Sequence, residues 1–481
     1  MMPPSMSLHQ LYEERPTLTL AIMGVASYEN SCQQVALVKL FREMVSMLIL
    51  EGHLNTLDVL QGLLVSVAWA QYQPRPNRHS AYLHLAMGVV TDMRLDCPTK
   101  MRSWQFFSKH SQQDSIRSSD ELRALAGTYY LSASSSMVLL KRQSFPYTSI
   151  IYESCQLLSR ASEYPSDRFL PSIVQLQQLM EQVDEIIRVI ALTASIREIN
   201  AHIRNAQQKL EMFRMSNIAS LHECQPLIMQ MHMIDLLISQ LLMPGFPFSI
   251  DKHQVHITSE QKLTECFSAS TTAAKSLLSG LLVLPPGFEA SLSNMKWIMV
   301  HCALSIAARL DVMTADPRID GTVRHMRRFL DFPLSLTQII QRIESLSSDE
   351  IGKDAGDSHT FSDFLNRAKA IEAWYLQQTG RSSLVTMPSS ATAEELEVPG
   401  LPPLKLTTVD GGGSSLHVGS NIQLAGSTPE GNAASPGIEA TQPLTAISER
   451  VGKLSDFSVM DFFNLEDQEH GFGTFYGSYG Y

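Results

Sequence analysis

Thr56-Leu57-Asp58-Val59-Leu60-Gln61-Gly62-Leu63-Leu64-Val65 decides the fold class. Its apolar side chains recur every three or four residues, so Leu57, Leu60, Leu64 and Val67 share one face of a helix; a half-buried strand would alternate instead. The same period continues downstream. Ser118 or Ser119 can cap a helix through Leu122, Leu125, Tyr129 and Met137, with Asp120 and Glu121 in its first turn, where the helix dipole favours acids. The longest periodic stretch runs from Leu170 to Arg214, with Ile173, Leu176, Leu179, Val183, Ile186, Ile187, Ile190, Ile199, Ile203 and Leu210 along one side. Pro226, Pro244-Gly245-Phe246-Pro247, Pro285-Pro286-Gly287, Pro317 and Pro333 divide the remainder. Alternating runs bounded by hairpin turns are missing, and no period of 34 or 40 residues repeats. The expected fold is therefore all-α, an irregular array of antiparallel helices and not a solenoid.

The helical pattern stops near residue 381, and the charge balance changes there too. Of a net charge of −11, residues 382–481 carry −9 and the preceding residues only −2. Residues 382–450 hold 7 Pro and 8 Gly and no Phe, Trp or Tyr. Such a segment cannot bury enough apolar surface to offset chain entropy, so it is predicted to be a disordered linker. Beyond it, residues 454–481 contain eight aromatics and five acids without one Lys or Arg. The expected organisation is a helical body (1–381), a tether (382–450) and an acidic-aromatic tail (451–481).

Several function classes fall at this level. The six cysteines are never closer than 36 residues, which excludes a CxxC clamp and gives no disulfide framework. The N-terminus lacks a cationic segment leading into an apolar one, and no run reaches the roughly 18 apolar residues of a bilayer span. A soluble intracellular protein with no membrane association is expected. An acidic chain is also a poor partner for phosphate backbones. G-x-x-x-x-G-K-[ST], G-x-S-x-G and H-E-x-x-H are absent; His222-Glu223 begins the last, but Pro226 occupies the place of its second histidine. Gly471-Phe472-Gly473 lacks the preceding strand of a dinucleotide turn. Asp311, Asp316 and Asp320 are split by Pro317 and do not form a magnesium pair. No catalytic residue, metal ligand or cofactor site is assigned, and no enzyme is expected. His301-Cys302 reads as part of a core helix. Arg324-His325-Met326-Arg327-Arg328 reads as a solvated face, and Gln71-Tyr72-Gln73-Pro74-Arg75-Pro76 as an interhelix loop.

One pattern exceeds a purely structural explanation, its alternative being a C-terminal helix that docks back on the body. In Leu454-Ser455-Asp456-Phe457-Ser458-Val459-Met460-Asp461-Phe462-Phe463-Asn464-Leu465-Glu466-Asp467, acids alternate with bulky apolar groups and keep them exposed. On a helix, Val459, Phe462 and Phe463 fall at i, i+3 and i+4, with Met460 beside Phe463, which suits a helix-in-groove ligand. The candidate coactivator-binding residues are Phe457, Val459, Met460, Phe462, Phe463 and Leu465.

The body adds a family likeness. Glu14-Arg15-Pro16-Thr17-Leu18, Leu57 to Leu64 with Ala68-Trp69, Leu122 to Ser134, Lys141-Arg142, Tyr152-Glu153-Ser154-Cys155, Ser166-Asp167-Arg168 and Asp363-Phe364-Leu365 with Ile371 to Tyr375 occur in order. Together they resemble the regulatory (middle homology) domain of fungal zinc binuclear cluster transcription factors. The resemblance implies an all-helical domain that controls activity between an N-terminal zinc cluster and a C-terminal activation region, in a nuclear protein. Its implied partners are the transcription coactivator machinery, a small-molecule effector and a second copy of the chain. The departure is the zinc cluster itself. No run of six closely spaced cysteines flanked by Lys and Arg is present. Zinc is expected only in such a cluster outside this sequence, no direct specific DNA binding is expected from this chain, and either a shortened product or a regulator without its own DNA reader fits. The function expected is transcriptional regulation, as an activator, of a metabolic or secondary-metabolite gene cluster; the competing reading is a helical interaction or effector-sensing scaffold.

Limited proteolysis of the full chain is expected to cut first within residues 382–450. Early cleavage inside the body, with those residues intact, would place the boundary elsewhere.

Overall fold

The computed structural model describes residues 6–72, 79–98, 117–138, 144–187, 195–241, 260–314, 321–348 and 361–380, and every regular element among them is helical. The tether, the tail and the candidate residues Phe457, Val459, Met460, Phe462, Phe463 and Leu465 lie outside the described residues.

The first half contains α1 (Leu8–Glu14), α2 (Pro16–Ala26), α3 (Ser31–Glu51), α4 (Leu57–Ala68), α5 (His79–Asp92), α6 (Ser119–Val138) and α7 (Ser149–Ala161). Short polar side chains start these helices by accepting an amide that has no partner within the helix. Ser7 accepts from Gln10, Asn30 from Gln33 and Thr56 from Val59. Pro16 opens α2, where its missing N–H costs nothing. Ser118 caps α6, and the Glu121 carboxylate returns to the Ser118 amide at 2.9 Å.

The stretch from Leu170 to Arg214 is two helices, α8 (Leu170–Glu185) and α9 (Ile196–Ser216), not one continuous run. Ser195 and Glu198 form a capping box, with the Glu198 carboxylate 2.8 Å from the Ser195 amide. That box starts a new helix in the middle of an unbroken apolar period. There follow α10 (Ile218–Glu223), α11 (Gln225–Leu241), α12 (Glu260–Leu282), α13 (Asn294–Thr314), α14 (Gly321–Leu330), α15 (Phe332–Ser348) and α16 (Ser362–Thr379).

Two apolar cores result. In the first, Leu20, Phe41, Leu60, Leu63, Val67, Leu83, Leu125, Tyr129 and Ile151 join α2 to α7. α8 serves both cores: Val174 faces the first, while Leu176, Met180 and Val183 enter the second. There they meet Leu227 and Ile234 of α11, Leu277 of α12 and most of α13. α13 is long and apolar enough to cross a bilayer, but its side chains are almost all buried against other helices, as in the core helix of a globular protein.

Gln71 and Tyr72 stand at the start of the connection from α4 to α5, the interhelix loop expected there. They form a buried turn after α4 that ties the cores together. The Tyr72 hydroxyl donates to the Ala290 carbonyl at 2.6 Å and the Gln71 amide to Leu292 at 2.8 Å, while Gln34 of α3 donates to the Tyr72 carbonyl at 2.6 Å. Aromatic contacts continue the tie through Tyr28, Tyr72, Phe361, Trp297 and Phe364, with successive centroids 4.8, 5.9, 5.9 and 4.9 Å apart.

α2 and α4 approach closest at Gly62, where an added Cβ would lie 3.0 Å from the Thr17 carbonyl oxygen. Gly62→Ala is expected to destabilise the chain, because an overpacking cost of about 1–3 kcal/mol outweighs the helix-propensity gain of about 1 kcal/mol. At Gly127 the nearest atom is a Leu64 methyl at 3.6 Å, so Gly127→Ala is expected to be neutral or stabilising. Urea midpoints of the two variants check both signs.

Candidate functional site

Residues from four of the segments that carry the sequence resemblance, Arg15, Asp58, Arg123 and Asp167, converge in space. Asp58, in the first turn of α4, accepts the Thr17 and Leu18 amides at 3.0 and 2.8 Å. It thereby caps α2 from a neighbouring helix. Arg15, just before α2, donates to Gln61 at 2.8 Å and to Asp120 of α6 at 2.7 Å. Asp120 also receives Arg123, one turn further along α6, at 3.0 Å. Arg123 then spans the turn between α7 and α8: its Nε and Nη2 meet the two Asp167 oxygens at 3.1 and 2.8 Å, and Nη2 lies 2.6 Å from Glu163. The guanidinium stacks over the Tyr164 ring at 4.5 Å.

This seam is partly shielded from water. Burial would raise the Asp120 carboxyl, but the bonds from Arg15 and Arg123 outweigh it and hold its pKa below the ordinary value. Glu163 is lowered as well, by Ser119 and Arg123. Asp167 is only 3% exposed and also accepts the Tyr164 amide at 3.2 Å. Asp120, Glu163 and Asp167 each bond an arginine, Asp58 caps α2, and no described histidine or thiol joins them, so the chemistry of the seam is that of a latch closing α1–α2 and α4 onto α6 and the α7–α8 turn. Periodicity missed these residues because it scores apolar positions.

His301-Cys302 is a core pair. The imidazole nitrogens lie 2.9 Å from the Trp297 carbonyl and 3.1 Å from the Phe364 carbonyl, and the ring stacks on Phe364. Burial pulls its pKa down to about 4, so it stays neutral, and both ring positions face backbone oxygens where a metal would have to sit. Burial pushes the Cys302 thiol up to about 12, far from a reactive thiolate. Among the described residues no group of three or more His, Cys, Asp or Glu is placed to hold a metal ion.

The arginine cluster of α14 divides between core and solvent. Arg327 bonds both oxygens of buried Asp311 at 3.2 and 3.1 Å, and the Tyr375 hydroxyl of α16 donates to the same carboxylate at 2.7 Å. Burial and the Asp311 charge push Tyr375 up to about 12, which keeps it a donor. His325 and Arg328 point to solvent.

Arg123→Met strands the buried Asp167 carboxylate and is expected to cost about 3–5 kcal/mol. Glu163→Gln, at a half-exposed position where solvent screens the pair, is expected to cost much less. Urea titrations at neutral pH separate the two, and equal losses would refute the assignment of Arg123 to Asp167.

The chain is similar to transcription factor himD of Aspergillus japonicus, at 30% identity over 383 residues, covering 78% of this chain and 63% of that protein. It is also similar to transcription factor opdL of Penicillium oxalicum, at 24% identity over 248 residues, covering 48% of this chain and 43% of that protein. The chain thus spans less than two thirds of the length of either relative. No family model and no solved structure matches it. These likenesses relate the chain to fungal proteins named as transcription factors.

Proposed function

We propose that this chain is the regulatory and activating part of a fungal transcription factor of the zinc binuclear cluster type, acting in the nucleus on a metabolic or secondary-metabolite gene cluster. The observation that carries this reading is the similarity over 78% of the chain to a protein named as a transcription factor. The helical body supports it: its polar seam and its buried histidine are structural in their geometry. The six cysteines are too widely spaced for a binuclear cluster, so sequence-specific DNA contact is not assigned to these residues. The body is assigned the regulatory role, with a small-molecule effector and a second copy of the chain as its candidate partners, and residues 451–481 the contact with coactivators.

In this reading Phe457, Phe462, Phe463 and Leu465 enter a coactivator groove, while Asp456, Asp461, Glu466 and Asp467 keep them in solvent and steer them to basic rims. Burying one Phe contributes roughly 1.5–3 kcal/mol, and one exposed charge pair about 0–1 kcal/mol. The aromatics therefore dominate. Fused to an unrelated DNA-binding domain, residues 451–481 are expected to activate a reporter. Phe462→Ala with Phe463→Ala is expected to abolish the signal, and Asp461→Asn only to weaken it. A silent fusion, or one indifferent to the double change, would favour the scaffold reading.

A further inference from the structure

We infer that α3 pairs antiparallel with α3 of a second copy of this chain, through the face it turns away from the body. Gln34, Val38, Phe41 and Val45 are buried and recur every three or four residues, so they form the inner face of the helix. Each residue advances a helix by about 100°, which sets Ala36, Leu40, Glu43, Met47 and Leu50 on the opposite side. All five are exposed, Leu40 by 51%, Met47 by 49% and Leu50 by 87%. A helix at the surface of a lone globular body carries polar residues on that side. On α3 four of the five are apolar, in a second stripe with the alternating four- and three-residue spacing of a helix-pairing seam.

Charge selects the occupant and its register. Lys39 and Glu43 lie one turn apart on the same flank of the stripe, and both side chains are largely exposed. In a twofold antiparallel pair that flank meets its own copy with the run reversed, so the surface must complement itself. A pair centred on Glu43 would set two carboxylates face to face, which disfavours it. A centre between Phe41 and Arg42 sets Ala36 opposite Met47 of the other copy, a small side chain against a large one. It also brings Lys39 of each copy within one residue of Glu43 of the other, so both charges find opposite partners. A seam of one helix about 30 Å long falls at the small end of specific interfaces, and the dimer is therefore weak and concentration-dependent. This pairing deepens the reading in which a second copy is a partner of the body. It uses none of residues 451–481, so it and the activator reading fail separately.

Sedimentation of the full chain over a concentration series tests the pairing. The wild type is expected to pass from monomer to dimer mass as concentration rises through the micromolar range, and Leu40→Ser with Met47→Ser to remain monomeric throughout. Both changes lie outside the cores, so circular dichroism and the urea midpoint are expected to stay as in the wild type. Should that variant lose its helices, the charges decide. Lys39→Glu is expected to weaken the dimer severalfold, and Lys39→Glu with Glu43→Lys to restore it, because the reversed pair is complementary again between copies. A wild type that stays monomeric, a dimer that survives the double serine change, or a charge reversal that restores nothing would overturn the proposal.

Discussion

Tyr72 is the point at which two separate apolar cores are held to each other. A chain of helices has no sheet ladder to fix distant segments in register, so that task falls to side chains that cross from one core to the other. Tyr72 does so in three ways. Its ring packs between Tyr28 and Phe361, its hydroxyl bonds the Ala290 carbonyl, and its own carbonyl receives Gln34. Each bond satisfies a group that would be expensive to bury alone. The positions of α13 and α16 follow, because Phe361 passes the contact to Trp297, and Phe364 stacks on Trp297 while its carbonyl meets His301.

The polar seam does comparable work at the opposite end of the first core. Arg15, Asp58, Asp120, Arg123 and Asp167 come from four segments spread over more than 150 residues, yet each closes a contact between helices and not within one alone. All of these but Asp120 lie in segments that carry the likeness noted in the sequence. What those segments have in common is thus a scaffold that holds the N-terminal helices in place. Their role lies in packing and folding, one link earlier than function.

Much of this fold was legible because helix periodicity and capping are local. Leu60, Leu64 and Val67 are buried as their spacing requires, and Ser118 caps α6 from its position before two acids. What was not legible shares one physical cause. Ser195 starts a new helix through a capping box that leaves the apolar period untouched, so the period alone reads through the break between α8 and α9. Gln71 and Tyr72 sit beside prolines that mark a loop, and the bonds they make to residues more than 200 positions away do not show in that local pattern. The tight approach of the Thr17 carbonyl to Gly62 is likewise a contact between helices that the spacing of residues 56–65 does not show. Nonlocal constraints of this kind leave little trace in a single sequence. For residues 451–481 the reading rests on composition and spacing alone.

The exposure of Phe329 follows from how α14 is anchored. Met326 and Leu330 are buried at i and i+4, and Arg327, beside Met326, must reach Asp311 beneath. These three positions fix the rotation of the helix. Phe329 then lies about 60° to one side of Met326, since each residue advances a helix by about 100°, and on the side away from Arg327. To turn Phe329 inward would pull the guanidinium from Asp311 and deprive a carboxylate that is 1% exposed of its bonds to Arg327. Losing one partner of a buried ion pair costs about 3–5 kcal/mol, more than the roughly 1.5–3 kcal/mol from burying a phenylalanine. The ion pair wins, so an aromatic ring stays at the surface beside Arg328.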